Sequence, residues 1–322
     1  MSLAIDRDLL KRFEEGLDTL HPERSAIPAS ILGYGEISTV FRLAHAGQDD
    51  IAYKRMPIFD TQEQVEHYLT IYRDYNDILK RAGLTIPDHD AVSIRTQNKG
   101  FVVYAAQQRL VPESIGNKVI HLVSDAGTAR LLLAVLEHLK KVWDFNAAHR
   151  DTRIGIDGQI SNWALQQFDP ANPQVGEHPA LYYIDTSTPM IRKNGTEMLE
   201  ADLFLKSAPS FLRWMVRWFF LQDVLDRYYD FRLVVIDLIA NFHKEGRPDQ
   251  IPGLIRIANE FCAHEARDYG IKPIEPKEVE SYYKQDAFIW RLFLALRKFD
   301  RFLKTRVFRG RYAFILPGTI RR

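Results

Sequence analysis

The stretch RIGIDGQISNWALQQF, residues 153–168, followed by ALYYIDTSTP, residues 180–189, decides the predicted fold. Short apolar runs alternate here with polar turns, which predicts three short strands. Asp157, Asn162 and Asp185 then fall at the strand ends or in the turns between them. Carboxylate and amide oxygens in such places can bind Mg²⁺ on a nucleotide's phosphates, while one carboxylate orients an attacking hydroxyl. The stretch therefore favours a phosphoryl-transfer site, which depends on positioning and charge neutralisation.

Each of these residues also has a plain structural interpretation. Asp157 with the following glycine is typical of a hairpin turn, Asn162 can be a turn residue, and Asp185 can start a turn or cap a helix. Because all of the signals occur in one order and in matching contexts, we prefer the functional interpretation.

A nearby tripeptide, His149-Arg150-Asp151, spells the H-R-D of a kinase catalytic loop. The residue five positions after Asp151 is Ile156, which cannot bind a metal, whereas Asn162 lies five positions after Asp157. We therefore prefer Asp157 to Asp151.

Upstream, ILGYGEISTVFRL (31–43) predicts two strand segments around a turn with the pattern Gly33-x-Gly35-x-x-Ser38. A hairpin tip without side chains lets backbone N–H groups approach phosphate oxygens, although glycine can also serve only the turn. Lys54, in the next predicted strand (51–56), would supply a positive charge to the phosphates. The alternative is a solvated lysine on an edge strand.

Residues 61–82 have the apolar spacing of a helix, with a capping box at Thr61 and a terminating glycine at Gly83. Glu63 and Glu66 are candidates to hold Lys54, and Glu66 is preferred because it lies beside the apolar face. Asp74 ranks lower. The alternative is that these carboxylates face solvent.

The strand candidates 91–96 and 100–110 are followed by Pro112 and a change in composition. We place a boundary there, which divides the chain into residues 1–111 and residues 112–322. Asp125 is predicted to cap a helix that runs to about residue 147, and the chain after residue 197 is almost wholly helical in pattern.

The series Gly33-x-Gly35-x-x-Ser38, Lys54, Asp157-x-x-x-x-Asn162 and Asp185 resembles the protein-kinase-like superfamily. It is more similar to the small-molecule branch, the aminoglycoside phosphotransferases and choline-type kinases. The resemblance implies an α+β, bilobal protein-kinase-like fold. It would have a small antiparallel-sheet N-lobe with one main helix and a large, mostly helical C-lobe.

The resemblance also implies ATP and Mg²⁺ as cofactors. The hairpin would cover ATP, Lys54 would contact its phosphates while paired with Glu66, and Asp157 would be the catalytic base. Asn162 and Asp185 would hold Mg²⁺. The backbone of the strand exit, which includes Gln108 and Leu110, would bind adenine.

The sequence departs from the superfamily pattern at three places. Gly155 stands where histidine is usual, Ser38 replaces a third loop glycine, and Thr186-Ser187 follows Asp185. A nucleotide-binding or purely structural module without phosphotransfer, and nucleotidyl transfer on the same fold, therefore stay open. The activation-segment signal Ala-Pro-Glu is missing after Asp185, which favours a small-molecule acceptor over a protein.

Composition further limits the class of protein that the chain can be. The net charge of +1 gives no overall bias towards nucleic acid or membrane, so a nucleic-acid partner is not expected. The single cysteine, Cys262, excludes an internal disulfide framework, and with no signal-peptide pattern a cytoplasmic protein is expected. The apolar tract 211–242 is interrupted by charges, so no membrane span is expected.

The C-terminal segment from Lys284 onward is basic and interleaved with aromatic residues. We favour a final helix that packs its aromatics on the core and presents a wetted basic face. Contact with an anionic partner (lipid, nucleic acid or an acidic substrate) is the alternative. A possible acceptor pocket further upstream would be lined by Trp214, Trp218, Tyr228, Tyr229 and Asp237, which core packing would explain equally well.

Overall fold

The N-terminal third folds into a five-stranded antiparallel sheet with the order β1-β2-β3-β5-β4. The computed structural model describes residues 3–35, 38–96, 100–200, 202–206, 222–307, 309–310 and 312–317. The strands of this sheet are β1 (Ala29–Tyr34), β2 (Thr39–Leu43), β3 (Ile51–Phe59), β4 (His89–Thr96) and β5 (Gly100–Gln108).

Two helices cover the two faces of this sheet, because alternate residues of a strand point to opposite sides. Val103 and Ala105 share a buried cluster with helix α2 (Gln62–Arg81), which connects β3 to β4. Val102 and Tyr104 share another with helix α1 (Arg7–Gly16).

The remainder is mainly helical and carries two small sheets. Its helices are α3 (Gly116–Leu122), α4 (Asp125–Ala148), α5 (Asp202–Leu205), α6 (Gln222–Arg227), α7 (Phe231–Lys244), α8 (Ile251–His264) and α9 (Pro276–Phe302). The short strands are β6 (Thr152–Ile154), β7 (Trp163–Leu165), β8 (Leu181–Tyr183), β9 (Ile191–Lys193) and β10 (Thr196–Glu197), paired as β10-β9-β6 and β7-β8. The predicted α+β class, with an antiparallel sheet in the N-terminal part and a mainly helical remainder, is confirmed. None of the described helices is long and apolar enough to cross a bilayer.

The observed helix boundaries test the caps that were predicted from the local sequence. Thr61 caps α2 by accepting from the Gln64 N–H, and Gly83, just past the helix, has φ +90°, as the capping pattern predicts. The prediction that Asp125 caps α4 is wrong. Ser124 is the cap, because its Oγ accepts from Gly127 N–H, and Asp125 is the first helical residue.

The C-terminal segment 312–317 returns to the N-terminal sheet. Tyr312, Phe314 and Leu316 are buried with α2 and β3, and Ile315 is buried on the α1 side. Arg55 of β3 donates to the carbonyl of Ala313 at 2.7 Å. The segment therefore belongs to the packing of the sheet that carries Lys54.

A buried ion pair lies beneath this segment. Arg55 Nε and Nη2 donate to the two carboxylate oxygens of Glu14 on α1 at 2.7 and 2.6 Å, and Tyr104 donates to the same carboxylate. The bidentate geometry and the tyrosine satisfy the groups that burial deprives of water. Arg55 thus links α1, β3 and the C-terminal segment.

Candidate functional site

Lys54 and Asp185 form an ion pair that joins the N-terminal sheet to the helical part of the chain. Lys54 Nζ donates to Asp185 Oδ1 at 2.8 Å, and both side chains are largely buried. Burial alone would raise the pKa of Asp185. The Lys54 ammonium and the Ser187 hydroxyl outweigh it and keep the pKa below its ordinary value. Asp185 is therefore an anion at neutral pH, as a metal ligand must be.

Asn162 lies beside this pair because β7 and β8 run antiparallel. Trp163 is opposite Tyr183 in that ladder, and the Asn162 carbonyl accepts from Ile184 N–H at 2.9 Å. The Asn162 side-chain Nδ2 donates to the Asp157 carbonyl at 3.3 Å. The structure thus brings Asp157, Asn162 and Asp185 together.

Asp157 lies in the loop after β6 and not in a β-hairpin, since β6 pairs with β9. Its Oδ1 accepts from the Gln159 N–H at 3.0 Å, which fixes the carboxylate in a local turn. Burial raises the pKa of Asp157 to about 8, and the charges of Asp237 and Asp185 act in the same direction. This carboxylate is therefore held among like charges, which is a frequent feature of functional sites.

Asp237 on α7 forms a second acidic position next to Asp157. Gln159 Nε2 donates to Asp237 Oδ2 at 3.3 Å, and Gln159 Oε1 accepts from Asn241 and Lys244. Burial and the neighbouring Asp286 raise the pKa of Asp237 to about 6. The buried Asn241 Oδ1 has no hydrogen-bond partner among the described residues. Sequence reasoning named Asp237 as a possible pocket residue but missed Gln159, which has no motif signal beyond its nearness to Asp157.

The glycine hairpin lies over the stem of Lys54. Gly35 N–H donates to the Ser38 carbonyl at 3.0 Å, which closes the tip. A Cβ on Gly35 would lie 2.6 Å from Ser38 Oγ and 3.8 Å from Lys54 Cε. A Cβ added to Gly33 would have no atom within 4 Å, and the φ angle of Gly33 is not positive. Neither space nor backbone conformation therefore requires a glycine at this position.

The strand exit after β5 borders the same region, since Gln107 Nε2 donates to Thr186 Oγ1 at 3.3 Å. Gln108 N–H is already engaged by the Asp88 carbonyl at 2.8 Å. The N–H and C=O of Leu110 take part in no backbone hydrogen bond among the described residues. Leu110 thus keeps a backbone donor and a backbone acceptor that no backbone partner occupies among the described residues.

The predicted partnership of Glu66 with Lys54 is not formed in this structure. Glu66 is exposed and accepts from Gln62 one helical turn earlier at 2.8 Å, while Lys54 is paired with Asp185. The physical reason is the rotation of α2 about its axis, which turns Tyr68 and Tyr75 towards the core and leaves Glu66 exposed.

The inward tyrosines of α2 hold the segments that carry the acidic residues. Tyr68 OH donates to the Ser187 carbonyl and Tyr75 OH to the Gly155 carbonyl, both at 2.8 Å. The apolar spacing of residues 61–82 predicts a helix, but it carries no sign that either hydroxyl reaches a loop carbonyl.

Gly155, where the resemblance implies histidine, is tightly enclosed. A Cβ there would lie 3.1 Å from the Tyr228 carbonyl oxygen and 3.2 Å from Met190 Cβ. The Tyr228 carbonyl is also fixed by Ile156 N–H at 3.0 Å. The chain around Asp157 is therefore packed for glycine and has no room for an imidazole.

The donor set fits Mg²⁺ bound to phosphate. Among the described residues no three His, Cys, Asp or Glu side chains lie close enough to hold a metal ion by themselves. Mg²⁺ usually takes one or two protein carboxylates and completes its shell with phosphate oxygens and water. Asp185 supplies one carboxylate. Asn162, whose Nδ2 is engaged with Asp157, keeps its Oδ1 as an acceptor.

Comparison with known proteins gives one matching family and a set of distant solved structures, two of which are described below. Residues 19–301 match the model of a family of unknown function, DUF6206. A search of curated proteins finds no significant sequence match. The structure of WaaP in complex with acyl carrier protein is similar at 13% identity and TM-score 0.31, over 70% of this chain and 99% of that chain. The GDP complex of wild-type aminoglycoside 2'-phosphotransferase-IIIa is similar at 13% identity and TM-score 0.31, over 76% of this chain and 95% of that chain. Candidate roles for individual residues therefore depend on the geometry of this chain.

Proposed function

We propose that this chain, which belongs to the DUF6206 family, is an ATP- and Mg²⁺-dependent phosphotransferase that acts on a small molecule. The observation that carries the proposal is the 2.8 Å pair between Lys54 and Asp185, with Asn162 and Asp157 beside it. A cation on the sheet and acidic or amide groups on the facing loops form the charge pattern that a metal-bound triphosphate requires.

The proposed nucleotide site uses groups from both parts of the chain. Lys54 leaves Asp185 to bind phosphate oxygens, and the hairpin that contains Gly35 covers the phosphates. Asp185 and Asn162 would hold Mg²⁺, which would neutralise phosphate charge. Leu110 hydrogen-bonds adenine through its backbone.

Asp157 is the proposed base. In its ionised form, Asp157 accepts the proton of the acceptor group as that group's oxygen or nitrogen bonds to the γ-phosphorus, while the bond from this phosphorus to the bridging oxygen breaks and ADP leaves. Gln159 holds the loop of Asp157 against α7, where Asp237 and Asn241 provide polar groups for the acceptor.

A second candidate function is nucleotide binding without transfer. The observations that favour it are the exposure of Glu66 and the enclosure of Gly155, because both differ from what the resemblance implies. Nucleotidyl transfer with the nucleotide reversed is the third candidate, since it uses the same residue types.

Two measurements separate these functions. Mg-ATP well above its Kd stabilises a protein that binds it, so a rise in melting temperature is expected.

Transfer is then assayed by incubating the protein with Mg-ATP and fractions of a metabolite extract, with analysis of the nucleotide products. ADP release that Asp157→Asn abolishes supports the phosphotransferase, whereas pyrophosphate release indicates nucleotidyl transfer. A thermal shift without turnover indicates binding alone, and no shift contradicts all three functions.

A further inference from the structure

The outer face of α9 exposes apolar side chains along several turns. Phe288, Leu292 and Phe302 are 61%, 37% and 55% exposed. At 3.6 residues per turn they fall within about 80° of one another and extend over about 21 Å of the helix. Phe299 lies on the same side and is half exposed. The opposite side of α9, which includes Val279 and Arg297, is buried.

Basic residues flank this apolar stripe. Arg291, Lys298 and Arg306 are exposed, and none of them has an ion-pair partner among the described residues. The only acidic residue in the sequence from 287 to 307 is Asp300. It is buried and pairs with Lys304 at 2.8 Å, so it does not neutralise the flank.

We propose that this surface, the α9 face, docks the protein onto an anionic membrane surface. The α9 face is defined by Phe288, Leu292 and Phe302, by the basic residues Arg291 and Lys298 of the same helix, and by Arg306 in the helical segment Leu303–Val307 that follows it. A helix with an aromatic and aliphatic stripe beside lysines and arginines lies in the plane of a bilayer interface. Its apolar side chains enter the boundary between headgroups and acyl chains, and its cations contact anionic lipid.

Other occupants fit the same face less well. A second copy packed through it would bring Arg291 and Lys298 towards their own counterparts, so like charges would oppose the contact. Nucleic acid would use the basic flank but would leave Leu292 and Phe288 without an apolar partner. The sequence analysis favoured a helix with its aromatics packed on the core. The exposure of Phe288 and Phe302 contradicts that interpretation for these two side chains.

The test is co-sedimentation of the full chain with vesicles of phosphatidylcholine, with or without phosphatidylglycerol. Binding is expected only when phosphatidylglycerol is present, and it should weaken as salt is added. Arg291→Glu combined with Lys298→Glu should lower the partition coefficient about tenfold or more. Phe288→Ser combined with Phe302→Ser should lower it by a similar factor, because the inserted apolar area is lost.

Matched variants control for charge and hydrophobicity. Lys11→Glu with Arg12→Glu makes the same charge change on exposed residues of α1, and Leu122→Ser with Leu133→Ser removes two exposed leucines elsewhere. Both should sediment like the unmodified chain, with circular dichroism verifying the fold of every variant. The proposal is overturned if phosphatidylglycerol does not increase binding of the unmodified chain to vesicles. It is also overturned if the control variants lose as much binding as the variants of the α9 face. Two other outcomes also overturn it: the protein binds a DNA duplex and not the vesicles, or it forms a dimer that the double variant Phe288→Ser with Phe302→Ser no longer forms.

Discussion

Lys54 Nζ and Asp185 Oδ1 are 2.8 Å apart although 131 positions separate the two residues in the chain. The sheet brings one partner and the β7-β8 ladder brings the other. Each ion neutralises the other. A metal-bound phosphate would bind both, since the phosphate attracts the ammonium and the metal attracts the carboxylate.

Asp157→Asn is expected to keep nucleotide binding and to lose turnover. The amide preserves the Gln159 contact but cannot accept a proton, so we expect kcat to fall about 10²- to 10⁴-fold. The control is Asp151→Asn, which changes the exposed aspartate of the His149-Arg150-Asp151 tripeptide and should leave kcat unchanged. Equal losses in both variants would contradict the assignment of Asp157.

Asp237→Asn is expected to stabilise the protein at alkaline pH. The pKa of Asp237 is raised to about 6 in the fold from an ordinary value of 3.8. Protonation therefore favours the fold. This contribution is fully present below about pH 4 and is lost as the pH rises through about 6.

Urea unfolding measures the effect. The variant should be more stable than the unmodified chain by about 1–3 kcal/mol at pH 8, with little difference at pH 4. Asp268→Asn, a change at an exposed carboxylate, should show no such pH dependence. A difference for Asp237→Asn that is the same at both pH values would show that ionisation is not the cause.

Gly155→Ala is expected to destabilise the chain by about 1–3 kcal/mol, because the added methyl group meets the fixed Tyr228 carbonyl and Met190. Gly253→Ala in α8 is the matched control. No atom lies within 4 Å of its added Cβ, and alanine favours helices by about 1 kcal/mol over glycine. Chemical denaturation of the two variants should therefore give changes of opposite sign. A stable Gly155→Ala protein would contradict the packing argument.

A chain that ends at Gly310 is expected to lose about 3 kcal/mol or more of folding free energy. It lacks the buried side chains Tyr312, Phe314 and Leu316, and Arg55 loses the Ala313 carbonyl. A chain that ends at Pro317 keeps all of these contacts and should be more stable in thermal unfolding. Equal melting temperatures for the two would contradict a structural role of the segment.

The sequence predicted the elements whose signals are local. Apolar spacing and the Thr61 cap located α2 almost to the residue, and alternating apolar residues located β4 and β5. The grouping of Asp157, Asn162 and Asp185 could also be predicted, because short strands bring their ends together. The boundary between residues 1–111 and 112–322 and the roles of the site residues stay predictions.

What the sequence did not reveal depends on long-range packing. Whether Glu66 can reach Lys54 depends on the rotation of α2 about its axis. Glu66 and Tyr68 lie about 200° apart around the helix, so turning Tyr68 inward leaves Glu66 exposed. The return of residues 312–317 to the sheet has no local signal, since residues that are distant in the sequence hold the segment, among them Thr39, Arg55 and α2. The predicted pocket residues Trp214 and Trp218 lie outside the described residues.

Calorimetric titration with Mg-ATP, comparing the unmodified chain with Lys54→Met, tests the central claim most directly. Lys118→Met, an exposed lysine on α3, is the control. We expect the unmodified chain and the control to bind one Mg-ATP with similar Kd, and Lys54→Met to bind at least about tenfold more weakly because it loses a charge-assisted phosphate contact. Equal affinity of Lys54→Met and the unmodified chain, or no binding by either, would contradict a nucleotide site between Lys54 and Asp185.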